Sequence, residues 1–231
     1  MFFLLSQLVF ADPDPQKELD KAKKELQNRN YDMSSELLNH LMRDHNGQPQ
    51  ATEAKIIMAD LFFQKGEYPT ARVYYQHFLQ DHPSHPQASR ALYRIGQTQN
   101  KDAPKSSGRD QRATHAAIKT WEMFLYKYPN SPYRAEVEAE IIKSKDRLAH
   151  KELEVAQFYA RRQQWEAVRR RSTYMLQKYP SSKHLTEGLI LNALSLYLLG
   201  KTEEAQKMMT LLKQKSPEAI TTLERRIQKE K

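Results

Sequence analysis

Residues 52–85 hold a unit that recurs along the chain and limits what the chain can fold into. Ala54, Ile57, Met58, Leu61 and Phe62 are spaced i, i+3, i+4, i+7 and i+8, which lays one apolar stripe along a helix. Ala71, Tyr74, Tyr75, Phe78 and Leu79 repeat that spacing. Between the stripes, Gly66-Glu67-Tyr68-Pro69 supplies a glycine to end one helix and a proline to open the next. Asp81-His82-Pro83 stops the second helix, because proline disfavours helical geometry in the residue before it. Two short amphipathic helices joined by a tight turn cannot bury both stripes alone, so such units must stack against copies of themselves.

Weaker copies flank this one. Over 16–46, Leu19, Ala22 and Leu26 make a short stripe, Tyr31 sits at the turn, and Leu37, Leu38, Leu41 and Met42 make the second stripe, with polar Ser34 in the place of Ala71. A third copy begins with Ala88, Ala91, Leu92 and Ile95, breaks over the polar stretch 97–111, and resumes with Ala117, Trp121, Phe124 and Leu125 up to the stop at Tyr128-Pro129. That insertion falls at a turn, where a loop of this length is either functional or disordered. Ser131-Pro132 is expected to cap and open a helix that runs to about Arg162 without Gly or Pro. Val137, Ile141, Leu148, Val155 and Phe158 hold its phase, and it forms a rod of about 45 Å linking two halves. Trp165, Val168, Met175 and Leu176 precede the stop at Tyr179-Pro180. The last copy places Leu189, Ala193, Leu196 and Tyr197 before Gly200, then Ala205, Met208, Met209 and Leu212 after it. Ser216-Pro217 is expected to cap a final helix with Ile220, Leu223 and Ile227 inward, which closes the stack with a polar outer face.

The expected fold is therefore all-α. It is a right-handed superhelical solenoid of about five tetratricopeptide-like helix pairs over 16–231, with a long linking helix and a C-terminal capping helix. The N-terminal repeats cover 16–131 and the C-terminal repeats 132–231. Only six glycines in 231 residues, with no alternating strand pattern, agree with that. Absence of cysteine excludes disulfides, thiolate metal sites and a cysteine nucleophile. His82 and His85 flank Pro83 with no carboxylate arranged around them, so no metal is expected there. No phosphate-cradling loop, nucleophile elbow or zinc-protease motif occurs, so neither catalysis nor a cofactor is expected. The net charge of +9 suits acidic partners or is a solvated surface. Arg161, Arg162 and Arg169 to Arg171 would serve electrostatic binding of nucleic acid, but no recognition module accompanies them and none is expected to bind. At the start, residues 1–11 are an uncharged apolar run before Asp12-Pro13-Asp14-Pro15, too short for the ~20 residues that span a bilayer. With Val9 and Ala11 before a cleavage point it reads as the end of a secretory signal within a 1–15 leader, although no Lys or Arg precedes it.

Tyr128-Pro129-Asn130-Ser131-Pro132-Tyr133, Leu148-Ala149, Glu152, Val155-Ala156-Gln157-Phe158-Tyr159, Trp165, Arg171 and Tyr179-Pro180 follow one another in an order and spacing that resembles the BamD family. That family is the helical-repeat lipoprotein of the machinery that assembles outer-membrane β-barrels, and the resemblance is strongest over 108–180. It implies a periplasmic scaffold at the inner face of the outer membrane. The C-terminal half would dock on the periplasmic domains of the barrel insertase, and the N-terminal repeats would hold unfolded outer-membrane protein clients. The resemblance places insertase contact at Arg171, with Arg170 and Arg169 beside it. From the residues alone the three are an exposed basic helix face, and the planar fork of arginine suits carboxylates. Tyr31, Lys55, Phe63 and Tyr93 are the candidates for a client groove, though aromatics at helical spacing equally serve a core. The family carries its lipid on a cysteine and this sequence has none, so anchoring is not carried over: either membrane association runs through protein partners or the true N-terminus differs from the one shown. A periplasmic tetratricopeptide adaptor of the Tol-Pal envelope system is the second reading. That type has a coiled coil ahead of its repeats, whereas here the repeats begin almost at once.

Overall fold

The computed structural model describes residues 14–104, 106 and 109–230, and every regular element among them is a helix. The expected secretory segment 1–11 lies outside the described residues, as do Ser107 and Gly108 of the insertion. The chain divides into two compact units, one up to Asp102 and one from Ala103 on. The first holds α1 (Pro15–Gln27), α2 (Tyr31–Asp44), α3 (Pro49–Lys65), α4 (Tyr68–Asp81) and α5 (Ala88–Asp102). The second holds α6 (Arg112–Lys127), α7 (Arg134–Ala160), α8 (Trp165–Lys178), α9 (Leu185–Leu198), α10 (Thr202–Lys215) and α11 (Ala219–Lys229).

Four helix pairs close through one kind of turn. Asn30 N donates to Glu25 O at 2.9 Å, Glu67 N to Phe62 O at 2.9 Å, Gln164 N to Tyr159 O at 3.1 Å and Lys201 N to Leu196 O at 2.9 Å. The residue before each donor is left-handed: Arg29 at φ 61°, Gly66 at 81°, Gln163 at 55° and Gly200 at 72°. This is the Schellman closure, in which a left-handed residue returns the chain so that orphan carbonyls at the helix end find donors. Successive pairs join through a second repeated turn. His45, His82, Tyr128, Tyr179 and Ser216 each donate a backbone N–H to the residue four back and accept one from the residue three on. Proline follows the last four of these, where its missing N–H breaks no helical bond.

The stripes are buried as the spacing predicts, and the exceptions have local causes. In the first unit Leu19, Ala22, Leu38, Ala54, Ala59, Ala71, Tyr75 and Phe78 are fully buried. Ser34 is equally buried because its hydroxyl donates to Ala22 O at 2.9 Å. The break expected over 97–111 is shorter than that: α5 continues to Asp102, with Thr98 buried and its hydroxyl donating to Ile95 O at 2.7 Å.

In the second unit the long helix begins two residues later than expected. Ser131 is not its cap: Ser131 Oγ and O accept from Tyr133 N and Arg134 N at 3.3 and 3.1 Å, completing the turn between α6 and α7. The 27 residues of α7 span about 40 Å at 1.5 Å per residue, and the helix lies inside the second unit. Phe158, expected inward, is 42% exposed. It stands two residues past buried Ala156, about 200° around the helix. Tyr197 is likewise turned outward. Helix α11 starts at Ala219, and Ser216 spends its hydroxyl on Thr186 Oγ1 at 2.7 Å rather than on a cap. Helix α9 is buried on every side from Gly188 to Leu196, as a helix walled in by neighbours must be. Gly188 permits this, since a Cβ there would sit 2.6 Å from Met175 Cε.

Candidate functional site

The basic run of α8 does not form one face. Consecutive helical residues point about 100° apart, and the three arginines take three environments. Arg169 turns back on its own helix, donating from Nε and Nη2 to Glu166 at 3.0 and 2.6 Å, and this bond holds the Glu166 carboxyl below its usual range. Arg170 is exposed. Arg171 reaches across to α7, where its Nη1 donates to Glu152 Oε2 at 3.1 Å; Arg171 is 47% exposed while Glu152 is only 12% exposed.

Around Arg171 the surface is basic and aromatic. Tyr159, Ala167, Arg170, Arg171 and Tyr174 line a notch between the two helices. Tyr159 packs edge-on against Phe158, and the Arg162 guanidinium lies 3.7 Å from the Phe158 ring centroid, a cation–π contact. Burial pushes the Tyr179 hydroxyl up to about 12, with Tyr174 and Glu152 adding to the shift. Arginine and aromatic residues that stay partly exposed on packed helices are the side chains enriched at protein interfaces. On the other side of α8, a cleft of about 470 Å³ opens toward α9 and α10. Leu176, Leu189, Leu196, Met208 and Leu211 make it apolar, while Arg169, Glu204, Lys207 and Lys215 also line it. Asn192 is fixed there by donating to Ser172 Oγ and Thr173 Oγ1, both at 2.9 Å.

In the first unit, α1 and α3 are tied by Lys23 to Glu53 at 2.9 Å, and α3 and α5 by Arg90 to Asp60 at 2.7 Å. Asp60 also accepts from the Tyr75 hydroxyl, whose pKa is raised by burial and by that carboxylate. Beside this bridge, the Arg94 guanidinium lies 4.8 Å from the Phe63 ring centroid and donates to Gln97 Oε1 at 2.8 Å. Gln97 in turn donates to the Tyr93 hydroxyl at 2.6 Å. Phe63 and Tyr93 thus meet through Arg94 and Gln97. Lys55 does not join them: it donates to Asp81 at 3.0 Å and lies 3.3 Å from His82 Nε2, holding the stop of its own repeat. That bond lowers the Asp81 pKa, while burial, then Lys55, lowers that of His82. Tyr31 opens α2 and is half-buried. Asp60, Arg90, Arg94 and Gln97 were not singled out by sequence. The visible signal was Arg90 and Arg94 one turn apart on α5, bordering the apolar stripe.

His82 and His85 stand with ring centroids 6.5 Å apart beside the Lys55 ammonium, an arrangement that repels a cation. Among the described residues, those whose donor atoms converge as metal ligands would are Glu18, His40 and His45. No helix among the described residues is long and apolar enough to cross a membrane.

The family model described as outer membrane lipoprotein, YfiO, matches residues 12–211. The outer membrane protein assembly factor BamD of Haemophilus influenzae is 35% identical over 111 residues, 47% of this chain and 42% of that protein. The BamD of Pasteurella multocida is 30% identical over 148 residues, 62% of this chain and 53% of that protein. The chain therefore spans about half the length of the curated relatives it matches. Among solved structures, the TPR2AB domain of yeast Sti1 in complex with an Hsp90 peptide aligns over 93% of this chain and 84% of that one, with a TM-score of 0.52 and 17% identity. That likeness supports the tetratricopeptide fold and nothing further.

Proposed function

We propose, since this chain belongs to the YfiO family of outer membrane lipoproteins, that it is a non-catalytic scaffold in outer-membrane protein assembly. It works in the periplasm at the inner face of the outer membrane. The C-terminal pairs bind the barrel insertase through the notch at Arg171, with Arg170 beside it and Arg169 on the adjoining cleft. The N-terminal pairs bind client segments along α3 and α5, where Phe63, Arg94 and Tyr93 present aromatic and cationic groups; Tyr31 at the start of α2 and Lys55 on α3 complete the proposed contacts. The observation that carries this reading is the family match over 12–211, with relatives named as assembly factors. The half-exposed Arg171 in a basic, aromatic notch supports the insertase surface.

Affinity purification of the tagged chain from its native envelope tests the reading. Recovery of the insertase, reduced severalfold by Arg171→Ala, is the expected result. Recovery of Tol-Pal components without the insertase would overturn it in favour of the envelope adaptor.

A further inference from the structure

Glu18 lies in the first turn of α1, His40 one turn before the end of α2, and His45 at the residue that caps α2. The antiparallel packing of α1 on α2 brings them together although 22 residues separate the first two. His40 Nδ1 is 2.9 Å from Glu18 Oε1, and His40 Nε2 is 3.1 Å from Asp44 Oδ2. His45 is 8% exposed, and its Nε2 is buried with no hydrogen-bond partner. A buried polar atom left unpaired is destabilising, and so is a buried carboxylate with too little positive charge around it. Glu18 is 6% exposed. One cation would answer both.

We propose that Glu18, His40 and His45 form a site for a single divalent transition-metal ion that staples α1 to α2. Their donor atoms already lie within 4.8 Å of one another. Ligands about 2.0–2.2 Å from a tetrahedral zinc stand about 3.3 Å apart, so closing the site takes at most about 1.5 Å of approach between any two donors. Two imidazoles with one carboxylate favour zinc over calcium or magnesium, which prefer all-oxygen shells. Asp44 then takes a supporting place: with Nδ1 on the metal, His40 donates its Nε2–H to Asp44, the carboxylate–histidine–metal arrangement that fixes ring orientation. Asp44 stays in that outer place because Arg43 holds its carboxylate at 2.7 and 3.0 Å. Ligation by His45 Nε2 puts the ring proton on Nδ1, which faces the Gln48 side-chain amide at 3.4 Å. With that amide turned so that its oxygen faces the ring, Gln48 accepts the proton.

The test uses the untagged full chain, stripped by chelator and titrated with zinc sulfate by calorimetry and chelator competition. One ion per chain is expected, with a raised melting temperature. Binding should weaken at least about tenfold in E18Q and in H40N, and about tenfold in D44N as an outer-shell change, while an H82N/H85N chain binds as the parent does. Should the first variants lose helical circular dichroism, imidazole nitrogen NMR of the unaltered chain decides. Zinc-dependent shifts at His40 and His45 support the site. No stoichiometric uptake, or shifts confined to other histidines, overturns it.

Discussion

Reversing the pair at Arg171 separates its structural part from its docking part. Arg171→Glu sets two carboxylates where guanidinium and carboxylate now meet at 3.1 Å, with Glu152 only 12% exposed. The attraction lost is that of a half-wet pair, about 0.5–1 kcal/mol. Two like charges about 5 Å apart repel by about 1–3 kcal/mol for an effective dielectric between 80 and 20. Position 171 is half-exposed, so the new glutamate can swing outward, the lower end applies and the total is about 2 kcal/mol. For a chain of this length that lowers the melting temperature by about 4–8 °C. E152R/R171E restores opposite charges and should recover at least half of the loss. Thermal and urea unfolding followed by circular dichroism, run as a double-mutant cycle, should give a coupling energy of about 1–2 kcal/mol. A value below about 0.3 kcal/mol is ordinary additivity and would refute the pairing. The doubly reversed chain should still retrieve the insertase poorly, because position 171 now presents an acid beside Arg170 where the parent presents a second base. If it retrieves the insertase as well as the parent does, Arg171 acts only through Glu152 and the docking surface lies elsewhere.

Three further outcomes follow from the fold. Trp121 is fully buried, so Trp121→Ala should lower stability by about 3–5 kcal/mol in urea unfolding, the range for emptying an aromatic site. At the left-handed turns the residue type should decide the sign. Arg29→Gly should stabilise by about 0.5–1 kcal/mol and Gly66→Ala destabilise by about 1 kcal/mol, since only the backbone differs there, and a less stable Arg29→Gly chain would contradict this. Burial lowers the pKa of both His82 and His184. The unfolded chain therefore binds more protons below pH 6.5, and stability held above that pH should fall as acid titrates through the depressed folded values. The melting temperature measured from pH 7.5 to 5 should drop less in H184N than in the parent.

The helices were legible because glycine and proline mark their ends: Gly66 and Pro83 bound α4, and no such residue interrupts Arg134 to Ala160. The inward phase was legible where a stripe is short. It failed at Phe158 because the core-facing line had already passed to Leu153 and Ala156, and an aromatic residue near that line is not by itself evidence of burial. The resemblance pointed to the run 169–171 as one patch, and spacing alone suggested one basic face, where helical geometry fans the three arginines apart. Lys55 stands apart from Phe63 and Tyr93 for a reason spacing does not show: its partner Asp81 is 26 residues away, and only the return of α4 brings it near. Glu18, His40 and His45 stayed hidden for the same cause, since the pair adjacent in sequence, His82 and His85, drew the eye while the convergent set is split between helices.

The closing turns of the helix pairs join residues five apart, and the joints between pairs join residues three or four apart. None of these bonds waits for distant chain to arrive. A pair leaving a ribosome or an export channel can snap shut on its own turn and offer its apolar side to whichever pair emerges next, so assembly proceeds by addition at a growing end. Low contact order of this kind favours rapid folding, so each pair spends little time with its apolar side bare.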